Sequence, residues 1–108
     1  MATRHDSLSD LGRFSEPALL ILISLADGPK HGYAMTQDIE LVSGQKLGPG
    51  TLYGAIARLE AWKWIEPLPA EDRRRPYRLT GAGQKVLRAR LESLRSMTKV
   101  GVQRLADV

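Results

Sequence analysis

The most sustained apolar run in the chain is Ala18-Leu19-Leu20-Ile21-Leu22-Ile23, which is apolar on every side rather than along one stripe. That pattern predicts a helix buried all round, the central core helix. Ser15-Glu16-Pro17 supplies a cap residue, an early acid for the helix dipole and a proline tolerated in the first turn. Asp27-Gly28-Pro29 ends the helix. A second, short amphipathic helix is predicted from about Gly32 to Val42, with Met35, Ile39 and Val42 on one face and Ser43-Gly44 closing it. Gly48-Pro49 opens a third. There Leu52, Ile56, Leu59 and Lys63 continue an inward stripe, while Thr51, Gly54 and Arg58 share the opposite, uncluttered side.

The period then shortens. Trp64 to Leu68 reads as a strand, Pro69 to Arg75 as a charged turn and Pro76 to Leu79 as a returning strand, which makes a hairpin with a basic tip. Thr80 is a good N-cap for a last helix that runs without proline to the end. The predicted order is three helices, two strands and a helix: mainly α with a small β-hairpin. Residues 1–14 are polar with weak periodicity and read as an N-terminal arm, either loose or a short helix. Residues 15–79 form the compact unit and 80–108 the final helix.

That final helix, about 25 residues long, spans roughly 40 Å, more than the preceding domain covers. Leu87, Leu91, Leu94, Thr98, Gly101 and Leu105 alternate spacings of four and three, with Met97 and Val102 beside them. This is the spacing of a coiled-coil seam, and it predicts a homodimer. Gly101 serves either close backbone approach or a weak point near a fraying end.

Length and charge narrow the function. A chain of 108 residues supports one modest core and no separate effector domain. Its 16 Lys and Arg against 12 Asp and Glu give a net charge of +4, with the basic excess gathered between Arg73 and Arg104. Such a half suits a polyanion, although surface charge serving solubility has the same composition. Cysteine is absent, and His5 and His31 are the only histidines. With no paired carboxylates or phosphate-binding glycine loop either, the sequence offers no enzyme, metal site or cofactor site. The start has no apolar h-region, and Ala18 to Ala26 is far short of a bilayer span, so the expectation is a cytoplasmic, nucleoid-associated protein with no membrane contact.

A helix, a turn, a second helix and a hairpin with a positive tip make the architecture of a winged helix-turn-helix. Its third helix fits the major groove, and its arginine tip reaches flanking phosphates or the minor groove. The motifs His31-Gly32-Tyr33, Pro49-Gly50-Thr51-Leu52-Tyr53, Arg58-Leu59-Glu60 and Tyr77-Arg78-Leu79-Thr80 with Gly83 occur in order over residues 15 to about 85. Together they resemble the PadR family of bacterial transcription regulators, in its smaller branch with one C-terminal helix. The resemblance implies a repressor that binds double-stranded DNA, dimerises through its last helix and is often released by a small molecule. The chain departs from the family at Gly54, where proline is usual, at Gly48, where a serine cap is common, at Trp62-Lys63-Trp64-Ile65, and at a short wing tip without glycine.

The candidate DNA-binding residues are His31, Tyr33, Lys46, Pro49, Gly50, Thr51, Tyr53, Gly54, Arg58, Arg73, Arg74 and Arg75. Tyr53 either donates to a phosphate or buries its ring beside Leu52 and Ile56. Arg58 either reads a guanine edge or pairs with a carboxylate such as Glu60. His31 caps the second helix or touches a phosphate, Tyr33 touches the DNA backbone or joins the core, and Lys46 meets a phosphate or water. Trp62 and Trp64 cannot both face one way. With Met97 they line either a pocket for an aromatic effector or ordinary interface packing. The competing reading of the whole chain is a winged-helix adaptor for protein partners without DNA readout.

Overall fold

The computed structural model describes residues 7–108; of the predicted arm, residues 1–6 lie outside the described part. Helix α1 (Ser15–Ala26) is the centre on which the other elements pack, as its apolar surface requires. Ala18, Leu20, Ile21, Leu22 and Leu25 are all buried. Ser15 is not its cap but its first residue, and Phe14 before it makes no side-chain cap bond. At the other end Lys30 folds back, its Nζ donating to the Ser24 carbonyl at 2.6 Å, which places a cation on the orphan carbonyls of the helix terminus.

The rest of the predicted arm takes the second of its two readings, a short helix. Leu8–Phe14 forms a 3-10 segment opened by a reciprocal Ser7–Asp10 capping box, and Leu8 and Leu11 are buried in the main core. Gly12, at φ 58°, kinks the segment between Leu11 and Phe14, so Leu8 and Leu11 turn into the core while Phe14 stays half-buried. Three apolar residues are too few to register as a periodic stripe, which is why the segment reads as polar.

Helix α2 (Gly32–Ser43) begins at His31, whose Nδ1 accepts the Ala34 N–H at 3.4 Å, and stops at Gly44 in the left-handed conformation. Met35 and Ile39 are buried, but Val42 is 59% exposed, so the expected inward stripe stops one turn early. Helix α3 (Pro49–Ala61) buries Leu52, Ala55, Ile56 and Leu59. Lys63 is not the next residue of that stripe. It lies past the helix at φ 63°, where the Trp64 N–H donates to the Leu59 carbonyl and the Lys63 N–H to the Glu60 carbonyl, both at 3.0 Å. These two bonds make a Schellman terminus with lysine in the position glycine usually takes. Burial of Trp64, only 3% exposed, pulls the chain into that turn.

Strands β1 (Ile65–Pro67) and β2 (Tyr77–Leu79) pair antiparallel, with Ile65 opposite Leu79 and Pro67 opposite Tyr77. Between them Glu66 and Arg78 form an ion pair across the two strands. The other edge of β2 is taken by Lys30, whose N–H and carbonyl both bond to Tyr77. Thr80 then locks the corner to the last helix. Its hydroxyl donates to the Lys63 carbonyl at 2.7 Å while also accepting the Gly83 N–H at 3.0 Å. Gly83 passes directly under the Trp64 carbonyl, where a Cβ would collide. Helix α4 (Gly81–Ala106) runs from this corner, burying Leu87 against the core and carrying Leu91, Met97, Val102 and Leu105 outward.

Candidate nucleic-acid interface

The site is assembled from the N-terminus of α2, helix α3 and the hairpin, and specific contacts hold the three together. Tyr53 on α3 lies across the start of α2, where a Cβ on Gly32 would come within 2.6 Å of the Tyr53 hydroxyl. Any side chain at that position would displace the Tyr53 ring. The wing returns to the same place, with Arg74 Nη1 3.5 Å from His31 Nε2. The N-terminus of α2 therefore touches α3 on one side and the wing on the other.

On this frame the expected residues fall on the start of α2, on the linker before α3, on α3 and on the wing. Tyr53 is 55% and Tyr33 64% exposed, so neither joins the core, and the Tyr33 hydroxyl accepts from Gln37 Nε2 at 3.2 Å. Pro49, Gly50 and Thr51 are exposed at the positive end of α3, with Lys46 exposed on the linker before it. His31 takes the capping role that was one of its two readings. Tyr77, in the strand behind them, has its phenol raised above the usual range by burial, with Glu60 and Tyr53 adding to the rise and Arg75 opposing it.

The wing tip closes over Glu71 to Arg74, with Asp72 at φ 45° and Arg73 at φ 69°. Two positive φ values in succession are those of a type I′ hairpin turn, here made without glycine. Its arginines are not equivalent. Arg75 donates to the Leu68 carbonyl at 2.7 Å and Arg74 faces His31, while Arg73 projects from the tip with no side-chain partner among the described residues.

The face of α3 carrying Thr51, Gly54 and Arg58 is less open than its small residues suggest. Phe14 packs on Gly54, where a Cβ would come within 2.9 Å of Cε1, and the Arg58 guanidinium carbon lies 3.8 Å from the centroid of the same ring. Arg58 has no carboxylate partner among the described residues; its Nη1 donates to the Gly54 carbonyl at 2.9 Å. Gly54 is thus covered from outside the helix, which accounts for the absence of a larger residue there. Phe14 escaped the sequence reading. The one signal that could have raised it is glycine at a position where the family usually carries proline.

The comparisons agree with this geometry. Residues 21–89 match the Transcriptional regulator PadR-like family. The chain belongs to that family. Over 82 residues, 76% of its length, it is 50% identical to an uncharacterized 37.1 kDa protein in transposon Tn4556 of Streptomyces fradiae, and it spans 24% of that relative's length. Among solved structures it resembles a transcriptional regulator from Clostridium thermocellum, with TM-score 0.73 and 30% identity over 87% of this chain and 96% of that one. It also resembles a PadR family transcription regulator from Clostridium difficile, with TM-score 0.72 and 26% identity over 82% and 96%. PadR family members are transcription regulators rather than enzymes, and the chain has their fold, which supports DNA-binding transcription regulation. No helix among the described residues is long and apolar enough to cross a membrane.

In this PadR-like chain the predicted seam on α4 splits in two. Leu87 is 6% exposed and belongs to the core of its own chain, so it is not free for a partner. Leu91, Met97, Val102 and Leu105 are exposed, as are Thr98 and Gly101, and Leu94 is half-buried. Leu91 also lines a groove of about 780 Å³ between the end of α1 and α4, together with Leu25, Leu79 and Leu87. The tryptophan corner differs from the pocket drawn for it. Trp64 is core and meets Trp62 edge to face, centroids 5.1 Å apart at 82°, so it has no free face on which a flat ligand could stack. Neither this groove nor the smaller cleft beside the wing is lined by Trp62, Trp64 or Met97.

Proposed function

We propose that the chain is a sequence-specific repressor that binds a palindromic operator in double-stranded DNA as a homodimer. One observation carries the reading: Tyr53 on Gly32 and Arg74 beside His31 join α2, α3 and the wing into one continuous exposed surface. In it, base-edge reading belongs to α3 through Thr51 and Arg58. Phosphate contacts belong to Lys46, Tyr33, Tyr53 and Arg73, and to the amides at the start of α3. Arg75, bonded to the Leu68 carbonyl, and Arg74, packed beside His31, hold the tip in place for Arg73.

The dimer follows from α4. Leu91, Met97, Val102 and Leu105 form an apolar stripe that no other part of the described chain covers, and a second copy related by two-fold symmetry supplies the same stripe in return. Two equivalent α3 helices then require half-sites one helical turn or a small multiple apart. Control by a small molecule would need a site elsewhere than the Trp62–Trp64 corner, and no observation favours an aromatic effector.

Selection of bound fragments from genomic DNA with the purified protein tests this directly. An inverted repeat overlapping promoters is expected. Equal recovery of all fragments would leave a non-specific DNA binder or a protein adaptor instead.

A further inference from the structure

The N-terminal 3-10 segment and α3 meet where Phe14 covers Gly54. Phe14 is half-buried against Gly54, and Arg58, exposed on α3, is held over its ring at 3.8 Å and by its bond to the Gly54 carbonyl. Arg13 approaches the same ring at 5.0 Å. A guanidinium over an aromatic face is attracted by the ring quadrupole, and the contact does not consume its N–H donors. Among the described residues Arg58 makes one hydrogen bond, to Gly54, and its remaining donors stay available.

We propose that Phe14 is a specificity-determining positioning residue, which holds Arg58 ready for bidentate contact with the edge of a guanine in the major groove. This rests on the reading of Arg58 as a base contact. An unsupported arginine on a helix surface samples many rotamers and loses that freedom on binding, whereas one already seated loses less. Guanine N7 and O6 accept two donors in a fixed geometry, so a guanidinium held in one orientation discriminates better than a free one. Gly54 is part of the device, because any side chain there would push the ring away. The base is read by Arg58 and not by Phe14.

The test is a double-mutant cycle on the selected operator and on operators changed one base pair at a time. Phe14→Leu keeps apolar volume against Gly54 and removes the ring; thermal melting checks that the variant is folded. It should lower operator affinity about three- to tenfold. It should also relax the preference at the base pair that Arg58→Ala relaxes, and change nothing further in the Arg58→Ala background. Gly54→Ala, which displaces the ring while favouring the helix, should relax the same base pair and carries the comparison if Phe14→Leu melts too low. If Phe14→Leu weakens operator and scrambled DNA alike, or acts equally with and without Arg58, the ring is packing only and the proposal is overturned while the base contact of Arg58 stands. A gain in affinity overturns it as well, since the ring would then withhold Arg58 from DNA. Full discrimination retained by Arg58→Ala removes the base-reading role of Arg58, and the proposal falls with it.

Discussion

The hydroxyl of Tyr53 occupies the space beside Gly32 that any other residue would fill with its Cβ, so the place of the Tyr53 ring on the start of α2 depends on a missing side chain. Alanine at the first position of a helix is intrinsically favourable, and Gly32→Ala should change overall stability by no more than about 1 kcal/mol. It should nevertheless move the Tyr53 ring and weaken binding to operator and scrambled DNA in the same proportion. Thermal melting and DNA titration of one preparation separate the two effects. Unchanged DNA affinity would remove Tyr53 from the interface.

Lys63 stands at a helix terminus in the left-handed conformation that glycine adopts without strain. Lys63→Gly should stabilise the fold by roughly 1 kcal/mol, the left-handed penalty outweighing the added freedom of the unfolded chain. For a domain of this size that corresponds to a rise in Tm of about 4 °C or more, read by calorimetry. A fall in Tm would show that the lysine side chain contributes more at this corner than its backbone costs.

Arg73 and Arg58 should fail in different ways. Arg73→Ala removes an exposed charge at the wing tip, so binding to all sequences should weaken and the salt slope should fall by about 0.9 for each phosphate the arginine neutralises. Arg74→Ala, at the contact between the wing and His31, and Arg75→Ala, within the wing, should disturb binding through the loop and alter the slope less. Arg58→Ala should cost roughly 1 to 3 kcal/mol on the operator and relax one base pair per half-site, with scrambled DNA little affected. Salt-dependent titration of each variant on both DNAs decides. Weakening in the same proportion on both for Arg73→Ala and Arg58→Ala would end the proposed division.

The two parts of the α4 stripe give opposite expectations. Leu87→Glu places a charge in the protein's own core and should unfold the chain or lower its Tm sharply. Leu94→Glu with Met97→Glu lies beyond that core and should leave a folded monomer that binds DNA poorly. Sedimentation and circular dichroism distinguish unfolding from dissociation. A wild-type chain that sediments as a monomer at micromolar concentration would contradict the dimer.

Much of the fold was legible in the residues because its signals are local. An apolar run without a polar face, proline after a glycine, a threonine before a proline-free helix and alternation over a few residues each act within one or two turns. They yielded the order of elements, the wing, the long last helix and the family motifs. What escaped depends on distance. Leu8, Leu11 and Phe14 are too few to form a stripe, and their burial is decided by the flank of α1 that receives them. Val42 and Lys63 continue an inward spacing, yet the core ends before one and the chain reverses before the other. Leu87 and Leu91 obey the same seam rule, and only packing puts the first inside and the second out. The face of Gly54 and Arg58 read as open because sequence spacing locates a side chain on its own helix and says nothing of what another segment lays over it. Phe14, forty residues earlier, is that cover. The sequence alone determined which elements form and in what order; which of their faces stay free was decided by tertiary contacts, because burial is a property of the whole packed chain.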